Sequence, residues 1–70
     1  MSQLIKNGDT GLDVKLLQHK LNTCGASLVE DGFFGSRTKT SVLNYQKKSG
    51  LVVDGIVGSK TWSTIMKVSN

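Results

Sequence analysis

The sequence predicts an all-α fold, a compact three-helix bundle in which repeated Asp-Gly-turn-plus-helix units are joined by long loops. Two observations predict it: a motif that recurs along the chain, and three segments with apolar residues at helical spacing. At 70 residues the chain has room for one domain, spanning 1–70 with a core over about 6–67. Because no helix can bury its own apolar stripe alone, the three helices are expected to pack together.

The recurring motif relates residues 31–43 to residues 54–66, at an offset of 23. Each copy opens with Asp-Gly, a turn signal, because the Asp side chain can bond its own downstream backbone and Gly accepts a positive φ. A second Gly follows three residues later, and a weaker third copy begins at residues 7–11. Each copy therefore predicts a turn that starts a helix. Its structural residues are Asp31, Gly32 and Gly35 in one copy and Asp54, Gly55 and Gly58 in the next.

The first helix is predicted from apolar residues at intervals of three and four. Val14, Leu17, Leu21 and Cys24 form one continuous face, which makes Cys24 a small core residue. Gly25 is a natural stop for this helix. An acidic residue, Asp13, is expected near the helix start, where its charge complements the helix dipole.

Two further helices are predicted from the remaining apolar residues. In the second, Thr38, Val42 and Tyr45 share a face, and Gly50 ends the helix. The third is short and fades into residues 68–70. Its apolar face comprises Trp62, Ile65 and Met66, with Trp62 expected to fill the core between the last helix and the first.

The segments before each helix are also predicted. Ser36 and Ser59 follow the second Gly of their motif copies, where a hydroxyl is expected to act as the N-cap. The apolar stretches 27–29 and 51–53 are too short for a sheet and are expected to anchor the loops to the core.

The composition limits the classes of binding partner and the cellular compartments that are expected for this protein. The net charge of +4 favours salt-sensitive attraction to polyanions, whether nucleic acid, anionic membrane or bacterial cell wall. A single cysteine cannot form an internal disulfide, and no apolar run is long enough to span a membrane. Residues 1–6 lack an apolar stretch of signal-peptide length. We therefore expect synthesis in the cytoplasm without a signal peptide, or release from a larger chain.

The residue types favour a binding module over an enzyme. His19 and Cys24 are five residues apart, so they share no helical face, and no third group is placed to orient them. Asp31 and Asp54 occupy equivalent repeat positions, which a structural role explains better than a catalytic pair. Each Asp-Gly loop offers too few carboxylates for calcium, and zinc lacks its ligands. We expect no catalytic residue, no metal and no cofactor.

A DNA-binding helix-turn-helix is a further alternative for a small basic helical domain. That motif needs a short turn before a basic recognition helix, whereas the connections here run to about ten residues. The most basic helix carries its cations towards its two ends, at Arg37, Lys39, Lys47 and Lys48. Nucleic acid is therefore not the expected partner.

Three segments in order carry a family resemblance. Residues 8–22 contain Gly-Asp and then Leu-Gln-x-x-Leu-Asn, residues 30–46 contain Asp-Gly-x-Phe-Gly-x-x-Thr and end in Tyr-Gln, and residues 50–62 hold the closing copy. Together they resemble the small three-helix peptidoglycan-binding domain that is appended to bacterial and phage cell-wall hydrolases. The family often has Pro where Ser36 and Ser59 stand, and an aromatic residue where Val57 stands.

The resemblance implies a non-catalytic anchor whose ligand is peptidoglycan, the glycan strand, its stem peptides or both. The tethered hydrolase is expected to be a phage endolysin, acting at the bacterial cell wall or periplasm, and the domain is expected to be a monomer. The alternative is a module that uses the same fold to bind a protein or nucleic acid, because fold does not fix function. A small self-contained hydrolase is a third possibility.

The resemblance also guides the choice of ligand-binding residues. Phe34 occupies the family's buried aromatic position, whereas Phe33 stands where many residue types occur and is expected to be exposed. Gln18 and Gln46 lie beside apolar stripes and are expected to bond loop backbones, with a groove role as the alternative. The full candidate set for ligand binding is Phe33, Arg37, Lys60, Gln46, Tyr45 and Gln18.

Overall fold

The computed structural model describes residues 4–67 and confirms an all-α bundle of three helices. The helices are α1 (Leu12–Thr23), α2 (Ser36–Lys48) and α3 (Ser59–Ile65), and α1 contacts both of the others. In the described part of the chain, β-pairing is limited to two isolated antiparallel bridges, Ile5 with Val57 and Thr10 with Phe33. No helix within residues 4–67 combines the length and apolar character needed to cross a membrane.

The core is built from the predicted stripes of all three helices and from both motif loops. Phe34, in the first loop, and Val57, at the matching position of the second, are completely buried. Trp62 is buried at 5% exposure, as predicted. The other buried apolar residues are Ile5, Val14, Leu17, Leu21, Val42 and Ile65.

Each helix starts one residue after a glycine. Gly11, Gly35 and Gly58 are the N-cap residues, and none of the three helices has a side-chain cap hydrogen bond. The prediction that Ser36 and Ser59 are N-caps is therefore wrong. Both serines are already the first helical residues, and the extended residue before each of them is the glycine. The expected acidic residue, Asp13, does lie in the first turn of α1.

Two residues assigned to apolar stripes lie outside the core. Cys24 is exposed, because α1 ends at Thr23 and the chain turns away at Gly25, whose φ is 107°. Met66 follows the last residue of α3 and is 45% exposed. The predicted continuation into residues 68–70 lies outside the described residues. The loop stretches anchor only in part, since Leu28 packs against the core whereas Val29 and Val52 are both 75% exposed.

The segment before α1 braces the first motif loop. The backbone of Gly8 donates to the carbonyl of Phe34 over 2.8 Å, and Phe34 donates back to Asp9 over 2.9 Å. Gly11 donates to the carbonyl of Gly32 over 2.9 Å. The first loop is therefore held from the N-terminal side as well as by the helices.

Candidate functional site

A buried glutamine on α1 fixes the first motif loop. The Gln18 Nε2 group donates to Asp31 Oδ1 (3.1 Å), the Phe33 carbonyl (2.9 Å) and Thr38 Oγ1 (3.2 Å). Its Oε1 atom accepts from the backbone N–H of Gly32 at 2.9 Å. Because Gln18 is only 1% exposed, these contacts supply the partners that its amide needs away from water.

The second loop is fixed by Gln46 of α2 in the same way. Its Nε2 group lies 3.1 Å from Asp54 Oδ1, 2.9 Å from the Ile56 carbonyl and 3.2 Å from Thr61 Oγ1. Its Oε1 atom accepts from Gly55 at 3.0 Å. The expectation that both glutamines bond loop backbones is confirmed. We call each arrangement of helix glutamine and motif loop a glutamine clamp.

The Asp-Gly turns have the geometry that their sequence predicts. Asp31 Oδ1 accepts from the N–H of Phe33 at 3.0 Å, and Asp54 Oδ1 accepts from Ile56 at 2.9 Å. Gly32 has a φ of 77°, and a side chain there would begin 3.0 Å from a backbone oxygen. In both loops the Asp side chain therefore bonds the backbone two residues further on.

The adjacent phenylalanines of the first loop point in opposite directions. Phe34 is completely buried, and Phe33 is 53% exposed, as expected. The Phe33 ring lies across the backbone of Gly35, where a Cβ atom would stand 2.8 Å from ring atom Cε2. The ring therefore has one face against the loop and one side open to solvent.

Phe33 forms part of a half-open cleft of about 300 Å³ between the 27–31 loop and the start of α2. The cleft continues along α2 through a hollow that contains Ser27 and Arg37 and then one that contains Tyr45 and Lys48. These three hollows adjoin through shared lining residues, and together we call them the α2 groove. Its remaining lining residues include Leu28, Val29, Ser36, Thr40, Ser41 and Asn44.

The loop wall of the groove is held by Asn22 near the end of α1. The Asn22 side chain accepts from the backbone N–H of Leu28 at 2.8 Å and donates to the Leu28 carbonyl at 2.9 Å. It also donates to the carboxylate of Glu30 at 3.0 Å, and Glu30 lies 3.3 Å from His19. The bond from Asn22, together with His19, lowers the pKa of Glu30.

An exposed cation lies at each end of the groove. The guanidinium of Arg37 is exposed and has no hydrogen-bond or ion-pair partner among residues 4–67. Lys48 is likewise exposed at the far end. The nearby Asp31 carboxylate already accepts hydrogen bonds from the Phe33 N–H and the Gln18 amide. These bonds lower the pKa of Asp31 and keep its carboxylate ionised. The groove therefore suits a ligand that combines apolar faces with carboxylates.

The structure brings some candidate residues together and separates others. Phe33 and Arg37 line one end of the groove, and half-buried Tyr45 lies at the other. Gln18 lies beneath the Phe33 end. Gln46, on α2, bonds the loop of the second motif copy, and Lys60 lies within that copy.

The sequence-based candidate set lacks the groove wall at residues 27–29 and three polar residues of α2, which are Ser41, Asn44 and Lys48. A signal was present for α2, because Arg37, Ser41, Asn44 and Lys48 recur at intervals of four, three and four, as one helical face requires. The wall carries no such signal, since its position depends on Asn22. Nowhere in residues 4–67 do three His, Cys, Asp or Glu side chains gather as a metal site would require.

Comparison with known proteins places this architecture in a family. Residues 10–65 match the family model described as "Putative peptidoglycan binding domain". The spore cortex-lytic enzyme of Bacillus cereus is 39% identical over 69 residues, which is 97% of this chain and 27% of that enzyme.

Solved structures agree with the family match. The Burkholderia AP3 phage endolysin superposes with a TM-score of 0.90 at 45% identity, covering 93% of this chain and 25% of the endolysin. The N-terminal domain of SleB gives a TM-score of 0.91 at 40% identity, covering 96% of this chain and 93% of that domain. The chain spans about a quarter of the full-length lytic enzymes and nearly all of an isolated N-terminal domain. By its helices, its motif copies and these matches, the chain belongs to the family of peptidoglycan-binding domains.

Proposed function

We propose that this domain holds a cell-wall hydrolase against peptidoglycan, and that the α2 groove is its binding site. The proposal is supported by a half-exposed aromatic ring, Phe33, that shares one cleft with Arg37, whose guanidinium has no partner among residues 4–67. Peptidoglycan offers sugar rings with apolar faces and peptide stems with carboxylates. The groove provides a complementary partner for each.

Phe33 and Arg37 take different parts of the ligand. The open side of the Phe33 ring packs against a sugar face, with its other face supported by Gly35. Arg37 pairs with a stem-peptide carboxylate, and the planar guanidinium can do so through two parallel hydrogen bonds. Tyr45 and Lys48, further along α2, extend the contact to the next part of the stem.

Gln18 acts as a positioning residue in this site. It is buried, and its amide bonds the Phe33 carbonyl and the Gly32 N–H, so it fixes the loop that presents the ring. Gln46 has the corresponding role in the second loop. Neither amide needs to touch the ligand for its loss to weaken binding.

The domain contributes no chemistry of its own and acts by raising local concentration. A tethered catalytic domain is kept near its polymeric substrate, which increases its effective concentration without any new catalytic contact. Micromolar to millimolar affinity for one site, roughly 4–8 kcal/mol, is sufficient for this purpose. The 45% identity with a phage endolysin supports such an enzyme as the parent, acting at the cell wall with this domain as a monomer.

The site is tested by co-sedimentation of the purified chain with insoluble peptidoglycan over a range of protein concentrations. Phe33→Ala and Arg37→Gln are each expected to weaken retention about three- to tenfold, in proportion to the loss of one aromatic or charge-assisted contact. Leu12→Ala is the matched control, because Leu12 is an 83% exposed apolar residue that does not line the groove.

The control variant should bind like the wild type, and all variants should melt within about 8 °C of the wild type. Full retention of both groove variants would place the binding site elsewhere on the domain. A failure of the wild-type chain to sediment with peptidoglycan would reject the anchoring function itself.

A further inference from the structure

We infer that the second motif copy is a second, weaker peptidoglycan subsite, so that one domain holds two disaccharide-peptide units of the polymer. The inference rests on the proposed function and extends it to a part of the surface outside the α2 groove. It follows from two similarities between the motif copies, one in backbone geometry and one in the residues exposed at the surface.

The two copies have the same backbone geometry. In both, a glutamine clamp fixes the loop through equivalent atoms, and the four distances shared by the two clamps differ by no more than 0.1 Å. Gly32 and Gly55 have φ values of 77° and 74°. The N-cap glycines, Gly35 and Gly58, have nearly equal ψ values of −166° and −165°. A side chain at a given motif position therefore leaves the backbone in the same direction in either copy.

Three surface positions are preserved with the same character. Val29 and Val52, which precede the two loops at the offset of 23, are each 75% exposed. The third motif position is half-exposed Phe33 in one copy and partly exposed Ile56 in the other. The second helical residue is an exposed cation in both, as Arg37 or Lys60. Interior packing does not require an exposed valine or an exposed cation, so the preserved surface indicates a preserved ligand.

The differences between the copies predict which subsite binds more tightly. Ile56 offers no aromatic face, and the space over Gly58 that corresponds to the Phe33 ring is open, with no atom within 4 Å of a Cβ built there. The second loop instead lies beside an additional cation from α2, since Cε of Lys39 is 3.1 Å from a Cβ atom built at Gly55. The second subsite therefore depends on stem-peptide carboxylates more than on sugar faces.

Two subsites suit a repeating polymer. When one subsite is occupied, the other meets the neighbouring units of the same network at high effective concentration, so two weak contacts give a much tighter overall attachment. The Cα atoms span only 26 × 23 × 22 Å, so both subsites lie within reach of one local region of the wall.

The inference is tested by amide NMR titration with soluble disaccharide-tetrapeptide, released from purified peptidoglycan by a muramidase. We expect concentration-dependent shifts in residues 31–37 and separately in residues 54–60, with weaker affinity at the second region. Arg37→Gln should weaken the affinity reported by the first set about three- to tenfold and leave the second set unchanged. Lys60→Gln should do the reverse.

A gain-of-function variant gives an independent measurement. Ile56→Phe restores the aromatic residue of the first copy, and the open space over Gly58 can accept the ring. Retention on insoluble peptidoglycan should become about two- to tenfold tighter, the effect of one added aromatic contact. Leu12→Phe, which adds an exposed ring away from both copies, is the matched control and should have no effect.

The outcomes separate this inference from the proposed function. Shifts confined to residues 31–37, with no effect of Lys60→Gln or Ile56→Phe on retention, would overturn the second subsite and leave the anchoring function intact. A chain that neither shifts with the disaccharide-tetrapeptide nor sediments with peptidoglycan would overturn both.

Discussion

At the scale of single residues, the adjacent rings of Phe33 and Phe34 serve different purposes. Successive side chains of an extended segment point to opposite sides, so only one of the two rings can enter the core. Phe34 is the buried one, and its backbone is bonded to the segment before α1. Phe33 is left with an open side, which is the property that a ligand contact needs.

The two rings should respond differently to truncation. Phe34→Ala removes a fully buried aromatic side chain from a small core and is expected to lower the free energy of unfolding by about 3–5 kcal/mol. Phe33→Ala should change it by less than about 1 kcal/mol, because the ring is half exposed. Urea denaturation of both variants measures the difference. A near-neutral Phe34→Ala result would mean that the two roles are exchanged.

The Asp31 carboxylate makes stability dependent on pH. The Phe33 N–H and the Gln18 amide hold its folded-state pKa below the ordinary value of 3.8. A group with a depressed folded-state pKa stabilises the protein above its unfolded-state value, and this stabilisation is lost as the pH falls through the folded-state pKa.

Asp31→Asn is therefore expected to flatten the acid side of the stability profile. The wild type should lose stability as the pH falls from about 5 towards about 2, and the variant should lose less over the same range. Urea midpoints measured across this range test the prediction. Equal slopes for the two proteins would show that the Asp31 carboxylate is not stabilised by the loop.

At the scale of elements, each glutamine clamp joins one helix to the loop that starts the next. The Gln46 side chain is completely buried and bonds Asp54, Gly55, Ile56 and Thr61. A helix boundary without a side-chain cap would otherwise depend on the loop backbone alone. The clamp is therefore expected to determine whether α3 docks.

Removal of one clamp should be among the most damaging substitutions in the chain. Gln46→Ala leaves the Gly55 N–H and the Ile56 carbonyl without their partner and opens a cavity, so we expect a loss of about 2–5 kcal/mol. In a domain of this size that lowers the melting temperature by at least about 10 °C. Lys47→Ala, an exposed neighbour on α2, is the control and should change it little. A similar melting temperature for both variants would show that the clamp is dispensable.

The elements also show how far sequence reasoning reaches. Periodicity predicted all three helices, because Val14, Leu17 and Leu21 occupy one face whatever the loops do. It misplaced Cys24, because a stripe of apolar residues does not reveal where a helix ends. The motif led to the wrong assignment of Ser36 and Ser59 as N-caps, because in a Gly-Ser pair either residue can precede the first turn.

The candidate site was predicted only in part, because local sequence patterns do not reveal tertiary contacts. The exposure of Phe33 and the loop-bonding roles of Gln18 and Gln46 followed from the motif and the resemblance. The position of the groove wall at residues 27–29 could not be predicted from either. It is placed by Asn22 hydrogen bonds to Leu28, a tertiary contact that no local pattern predicts.

At the scale of the whole molecule, most of the domain consists of a small core and two exposed motif loops. Its interior is filled by apolar residues and glutamine amides, and every buried side-chain polar atom in residues 4–67 has a partner. The +4 charge lies on exposed cations such as Arg37 and Lys60, where it can assist contact with an anionic wall. These features fit a binding module, and the proposed binding surface lies on its loops and on α2.

The most direct test of this account is co-sedimentation of the wild-type chain with purified insoluble peptidoglycan at low salt, with the supernatant assayed for released sugars and amines. We expect most of the chain in the pellet, partial release as the salt concentration rises, and no soluble products from the wall. A chain that remains in the supernatant would contradict the anchoring function. A chain that releases soluble wall fragments would contradict its being non-catalytic.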